Sequence, residues 1–165
     1  RIKRSEGPIF QILYEAHKLI TLVFTGKNIN FGNYSCLTKK DVITLSQKES
    51  LWSSFSGTLK KSIISLNTVN SQRGTRYFGP SKMSIFNLGV HSLSIIAVFK
   101  SQVLIRSLLI GLAIYILKDI LPFFIFNIAI IFLIIFLVLI YLSSFRENIK
   151  DFLKSEDNLE NIENF

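Results

Sequence analysis

Apolar residues gather in two long runs in the second half of the chain. From Val103 to Leu117 the sequence reads VLIRSLLIGLAIYIL, and from Leu121 to Leu142 it reads LPFFIFNIAIIFLIIFLVLIYL, where Asn127 is the only strongly polar side chain. At 1.5 Å per residue the second run covers about 30 Å, the thickness of a bilayer core, and predicts a transmembrane helix over about 121–143. The first run predicts a helix over about 102–118. It carries Arg106 near one end and Lys118 just past the other, so it spans if both cations snorkel to opposite interfaces; the alternative is a re-entrant or interfacial helix. Only Lys118, Asp119 and Ile120 separate the runs, with Pro122 just after. A connection that short makes antiparallel neighbours, so 101–145 reads as a transmembrane hairpin with both chain ends on one side.

Ahead of the hairpin, SIFNLGVHSLSIIAVF sets Ser84, Asn87, His91 and Ser94 at three-four-three spacing, a narrow polar stripe on a helix that is apolar or glycine elsewhere except at Ser92. Such a helix, spanning 84–100, should lie in the membrane interface, with Asn87, His91 and Ser94 facing lipid headgroups, water or protein. Residues 1–83 pattern differently. Pro8 can open a helix, and PIFQILYEAHKLITLVF puts Ile9, Ile12, Leu13, Ala16, Leu19, Ile20 and Val23 on one face opposite Gln11, Glu15 and Lys18, until Gly26 ends it. Thr38 can cap a helix from Lys39 with Asp41 in its first turn, and a further helix is expected over Glu49 to Lys61. IISLNTVNSQ, rich in β-branched and small polar residues, predicts a short strand. The expected fold is therefore α/β in 1–83, the further strands of its sheet coming from elsewhere.

Nearly half of the 165 residues are hydrophobic (49%), too apolar for an ordinary soluble domain of this length. Charge orients the hairpin. Residues 1–101 hold 14 of the 19 Lys and Arg but 4 of the 11 Asp and Glu, a net of +10, and the positive-inside rule makes that side cytosolic. The tail 146–165 is acidic on balance and reads as a frayed helix or a disordered segment. Cys36 stands alone, which excludes an internal disulfide or a multi-cysteine zinc site and fits a reducing cytosol. His17 and His91 form no metal-ligand spacing. Nucleic acid is not an expected partner, because the cations do not alternate with exposed aromatics and a bilayer already accounts for them. The opening RIKRSEGP has no signal-peptide pattern and reads as the interior of a longer polypeptide.

The stretch RGTRYFGPSKM, from Arg73 to Met83, places Arg73, Arg76 and Lys82 around a bend shaped by Gly79 and Pro80. Guanidinium groups hold phosphate oxygens bidentately, Lys adds a point charge, and the Ser81 hydroxyl and bend amides donate further hydrogen bonds. Next to an interfacial helix, the loop suits a phosphate carried by a lipid. A generic basic patch attracted to anionic headgroups is the alternative.

These elements together resemble the C-terminal half of family 2 glycosyltransferases that act on polyprenyl phosphate, the group of dolichol-phosphate mannose synthase and the bactoprenol glucosyltransferases. The resemblance runs over RIKRSEG, the amphipathic helix, FGNYSCLTKKDVITL, RGTRYFGPSKMS, the interfacial helix and the hairpin, up to about Phe145. It implies that 1–83 is the C-terminal, acceptor-side part of a GT-A domain. It also implies a missing upstream half that binds the nucleotide sugar and holds Mg2+ or Mn2+ through an acidic D-x-D-type motif, with no metal ligand in this chain. By position, Arg1 and Arg4 match the basic loop on the donor-diphosphate side, and Arg73, Arg76, Ser81 and Lys82 match the acceptor-side loop. Asn33 matches the acidic position of the family's G-D-F-R-L-like segment, and Ser35 stands where relatives often have Arg. An amide at that place orients an acceptor or a sugar hydroxyl, and a phosphate monoester, with a second pKa near about 6, can attack without a base. The implied activity is sugar transfer from a nucleotide donor to polyprenyl phosphate at the cytosolic face of the inner membrane, with a homo-oligomer as a further option and the fragment alone inactive. The competing expectation is a non-catalytic basic hairpin that anchors partners or anionic lipids.

Overall fold

The computed structural model describes residues 8–29, 34–63, 65–67, 69, 84–148, 150 and 153–154. Among the described residues there are six α-helices, α1 (Pro8–Thr25), α2 (Lys39–Ser46), α3 (Phe55–Ser62), α4 (Ile85–Ala97), α5 (Lys100–Ile116) and α6 (Phe123–Ser144), with a 3-10 turn over Glu49–Trp52. No strand occurs among the described residues, which overturns the expected α/β fold. Ile63 ends α3 in an extended conformation, and none of the described residues of 63–72 pairs as a strand. A lone extended segment cannot satisfy its backbone donors and acceptors in a ladder, so β-branched composition alone does not make a strand here.

Local chemistry sets the helix ends. Gly26 takes φ +69° and donates its N–H to Leu22 O at 2.8 Å, the left-handed stop that favours glycine. Thr38 and Asp41 form the expected capping box at the start of α2. The single helix expected over Glu49 to Lys61 is broken. Ser54 is extended and caps Gly57 N at 3.2 Å, Ser53 Oγ donates to Ser94 O, and Thr58 Oγ1 donates to Ser50 Oγ at 2.9 Å. Serine hydroxyls that bond locally favour a cap over continued helix.

α5 and α6 pack as an antiparallel hairpin. Val103, near the start of α5, shares a buried cluster with Phe136 and Ile140 towards the end of α6, while Gly111 lies beside Leu133. α6 is long and apolar enough to cross a membrane. Its outward Ile128, Ile131, Phe132, Ile135 and Val138 are exposed, and the Asn127 amide is satisfied within the helix by donating to Phe123 O at 2.8 Å. α4 and α5 reach that length only together, and they meet at 90° through Val98 and Phe99. Both elbow residues are fully buried and cluster with Ile29 and Ile95. α1 packs along α5 and α4, and α3 against α4.

The face that α1 buries differs from the expected one. Thr21, Phe24 and Thr25 point inward, whereas Ile12, Leu13, Leu19, Ile20 and Val23 are exposed. Phe24 stacks on Phe136 with ring centroids 4.2 Å apart. Two threonines can occupy a buried face because each hydroxyl is spent on its own helix, Thr21 Oγ1 on His17 O at 2.7 Å and Thr25 Oγ1 on Thr21 O at 2.6 Å.

Candidate site at the open end of the hairpin

A cluster of polar groups meets where α5 begins and α6 ends. Ser94 is the hub. Its hydroxyl donates to Val90 O at 2.9 Å and accepts from Arg146 Nη1 at 2.9 Å, and its carbonyl accepts from Ser53 Oγ at 3.1 Å. Ser94 is 1% exposed, so it faces protein and not lipid headgroups. Of the predicted stripe, Ser84 caps α4 by accepting from Asn87 N at 3.1 Å, Asn87 is exposed, and His91 stands beside the Arg146 contact. His17 on α1 completes the seam, with Thr21 Oγ1 3.4 Å from its Nδ1. Burial, and after it the neighbouring His91, lowers the pKa of His17; burial, and after it Arg146, lowers that of His91. For both rings desolvation disfavours the imidazolium, and for His91 the Arg146 guanidinium adds to it.

A second polar group wraps the elbow. Lys61 Nζ donates to Val98 O at 2.7 Å, an elbow carbonyl that has left the helix ladder. Lys100 Nζ pairs with Glu147 Oε2 at 2.8 Å. The Glu147 side chain is 4% exposed, and its Oε1 has no partner among the described residues. Both residues line an open hollow of about 660 Å³ with Thr44, Lys48 and Lys61. Lysines there can bind phosphate oxygens while a carboxylate oxygen accepts from a hydroxyl.

The chain matches no family model, no curated protein and no solved structure. Arg1, Arg4, Asn33, Arg73, Arg76, Ser81 and Lys82 lie outside the described residues. Among the described residues no three His, Cys, Asp or Glu side chains stand together as a metal site. Thr21, Lys61, Lys100, Arg146 and Glu147 were not singled out by sequence reasoning. The i, i+4 series His17, Thr21, Thr25 was a signal for the seam; Arg146 and Glu147 had none, because their partners are 52 and 47 residues away.

Proposed function

We propose that the chain is the acceptor-side, membrane-attached part of a glycosyltransferase that moves a sugar from a nucleotide donor to a polyprenyl phosphate at the cytosolic face. The observation that carries this reading is the right-angle elbow. α4 meets α5 at 90° and packs across the open end of the hairpin against the end of α6, and in sequence it follows on Arg73, Arg76, Ser81 and Lys82. A helix lying across the end of a membrane hairpin belongs to the interface, the level at which a lipid presents its phosphate. Lys61, Lys100 and Arg146 gather at the same end, which supports a cytosolic placement of both chain ends and a multi-pass hairpin.

The chemistry is displacement at the anomeric carbon. A phosphate oxygen of the ionised acceptor forms the new C–O bond as the bond to the donor's diphosphate oxygen breaks, with inversion, and the nucleoside diphosphate departs. The cations offset the charge of the approaching phosphate, and catalysis rests on position and electrostatics. In the full-length enzyme with radiolabelled nucleotide sugars, Arg76→Ala or Lys82→Ala should raise the KM for polyprenyl phosphate while leaving that of the donor unchanged. Unaltered acceptor kinetics in both variants would overturn the assignment. Variants with shuffled charge and unchanged net charge that still bind membranes and keep full activity would favour the basic anchor.

A further inference from the structure

The position of α1 along the hairpin has a consequence for the membrane. His17 belongs to the seam of His91 and Arg146, just beyond Ser144 at the end of α6. Phe24, seven residues on, stacks on Phe136, eight residues before that end. At 1.5 Å per residue the two steps are about 10 Å along α1 and about 12 Å along α6, so α1 descends beside the hairpin and antiparallel to α6. Arg106, six residues or about 9 Å into α5, meets Val23 at the same height. By Ile29 the chain is back at the elbow, clustered with Val98 and Phe99. A 22-residue α6 is about 33 Å long, close to the hydrocarbon thickness, which puts the level of Phe136 inside the acyl layer.

We infer that α1 is a re-entrant helix whose last two turns enter the bilayer and whose exposed Leu19, Ile20 and Val23 face lipid, with Arg106 fastening its end. The inference rests on the reading of α6 as a membrane span. Lipid is the occupant because α1 packs along α5, a helix of the hairpin whose own Leu104, Ile105 and Leu108 are exposed as well. The backbone supports it as well. A helix end in hydrocarbon must have its carbonyls satisfied by the protein. Leu22 O accepts from Gly26 N at 2.8 Å and Val23 O accepts from Arg106 Nη1 at 3.2 Å, so two of the end carbonyls are held by protein, and the Lys27 N–H just past the end donates to Thr25 Oγ1 at 3.1 Å. Arg106, expected to snorkel to an interface, instead places its guanidinium at the negative end of the α1 dipole. Lys27, exposed just past the turn, has a stem long enough to return its ammonium to the headgroups.

The test uses the full chain with Cys36→Ser and single cysteines at Ile12, Leu19, Val23 or Ile131, labelled with a small fluorophore. It is reconstituted in phosphatidylcholine–phosphatidylglycerol vesicles carrying nitroxide quenchers at shallow or deep acyl positions. Quenching by the shallow nitroxide should rise along the stripe, with Val23 quenched about twofold or more over Ile12, Leu19 between them, and aqueous iodide giving the reverse order. Arg106→Leu should move the Val23 label towards the Ile12 value; an unchanged label overturns the fastening role. Equal lipid quenching at Ile12, Leu19 and Val23 means a helix flat on the surface, iodide access at all three means water, and shielding from both means a protein cover. Each of these overturns the inference. The Ile131 label separates the two readings: if the deep quencher misses it, α6 does not span; if it is quenched while Val23 is not, only the re-entrant helix fails.

Discussion

Gly26→Ala is expected to loosen α1 through two separable effects. Gly26 sits at φ +69°, a conformation that costs an L-residue about 1 kcal/mol. A Cβ built there would lie 2.8 Å from Arg106 Cζ, so the guanidinium must move and its bond to Val23 O is lost. A hydrogen bond from a charged donor contributes about 1.5–3 kcal/mol. The single substitution should therefore cost roughly 2–4 kcal/mol. In an Arg106→Ala background the bond is already gone and only the backbone part remains, about 1 kcal/mol. The assay is a double-mutant cycle on the purified full chain, with unfolding followed by denaturant titration and the fluorescence of Trp52. Coupling of about 1 kcal/mol or more between the two positions is the expected result. If Gly26→Ala costs the same in both backgrounds, Arg106 does not hold the end of α1.

Gly57 and Gly111 should respond differently to Ala. A Cβ on Gly57 would meet Ile95 O and Val98 Cγ2, each at 3.1 Å, and must separate α3 from the elbow, whereas one on Gly111 would lie 3.4 Å from Leu133 Cδ2, an ordinary contact; thermal unfolding should show a lower Tm for Gly57→Ala and little change for Gly111→Ala. Ser94→Ala removes the acceptor of Arg146 Nη1 and should cost about 1–2 kcal/mol in the same titration, with Ser94→Thr retaining more than Ser94→Ala. His17 and His91 have lowered folded pKa values, so the unfolded chain binds protons more readily. Their contribution to stability is full above the ordinary value of 6.5 and is lost as pH falls through the lowered folded values. His17→Gln with His91→Gln should flatten a plot of stability against pH in that window.

How much was legible varies by element. Pro8, Gly26, Thr38 and the 121–143 run mark structure that forms where the sequence puts it, since caps, left-handed stops and a long apolar helix depend on neighbours in sequence. The break at Ser53 and Ser54 was hidden, because one of those hydroxyls is committed to Ser94, 41 residues away. For the candidate site, His91 and Ser94 were named from their spacing, but only the fold joins them to His17 and Arg146.

The sequence by itself determined that helices form, that one of them matches a bilayer, and that cations crowd the side from which the hairpin departs. Only the tertiary structure decided which face of α1 meets protein. Periodicity locates an apolar stripe but cannot say whether lipid or side chains will cover it, since both remove the same surface from water. Threonines that bond back to their own helix pack inward as Thr21 and Thr25 do, and that leaves Leu19 and Val23 to face outward.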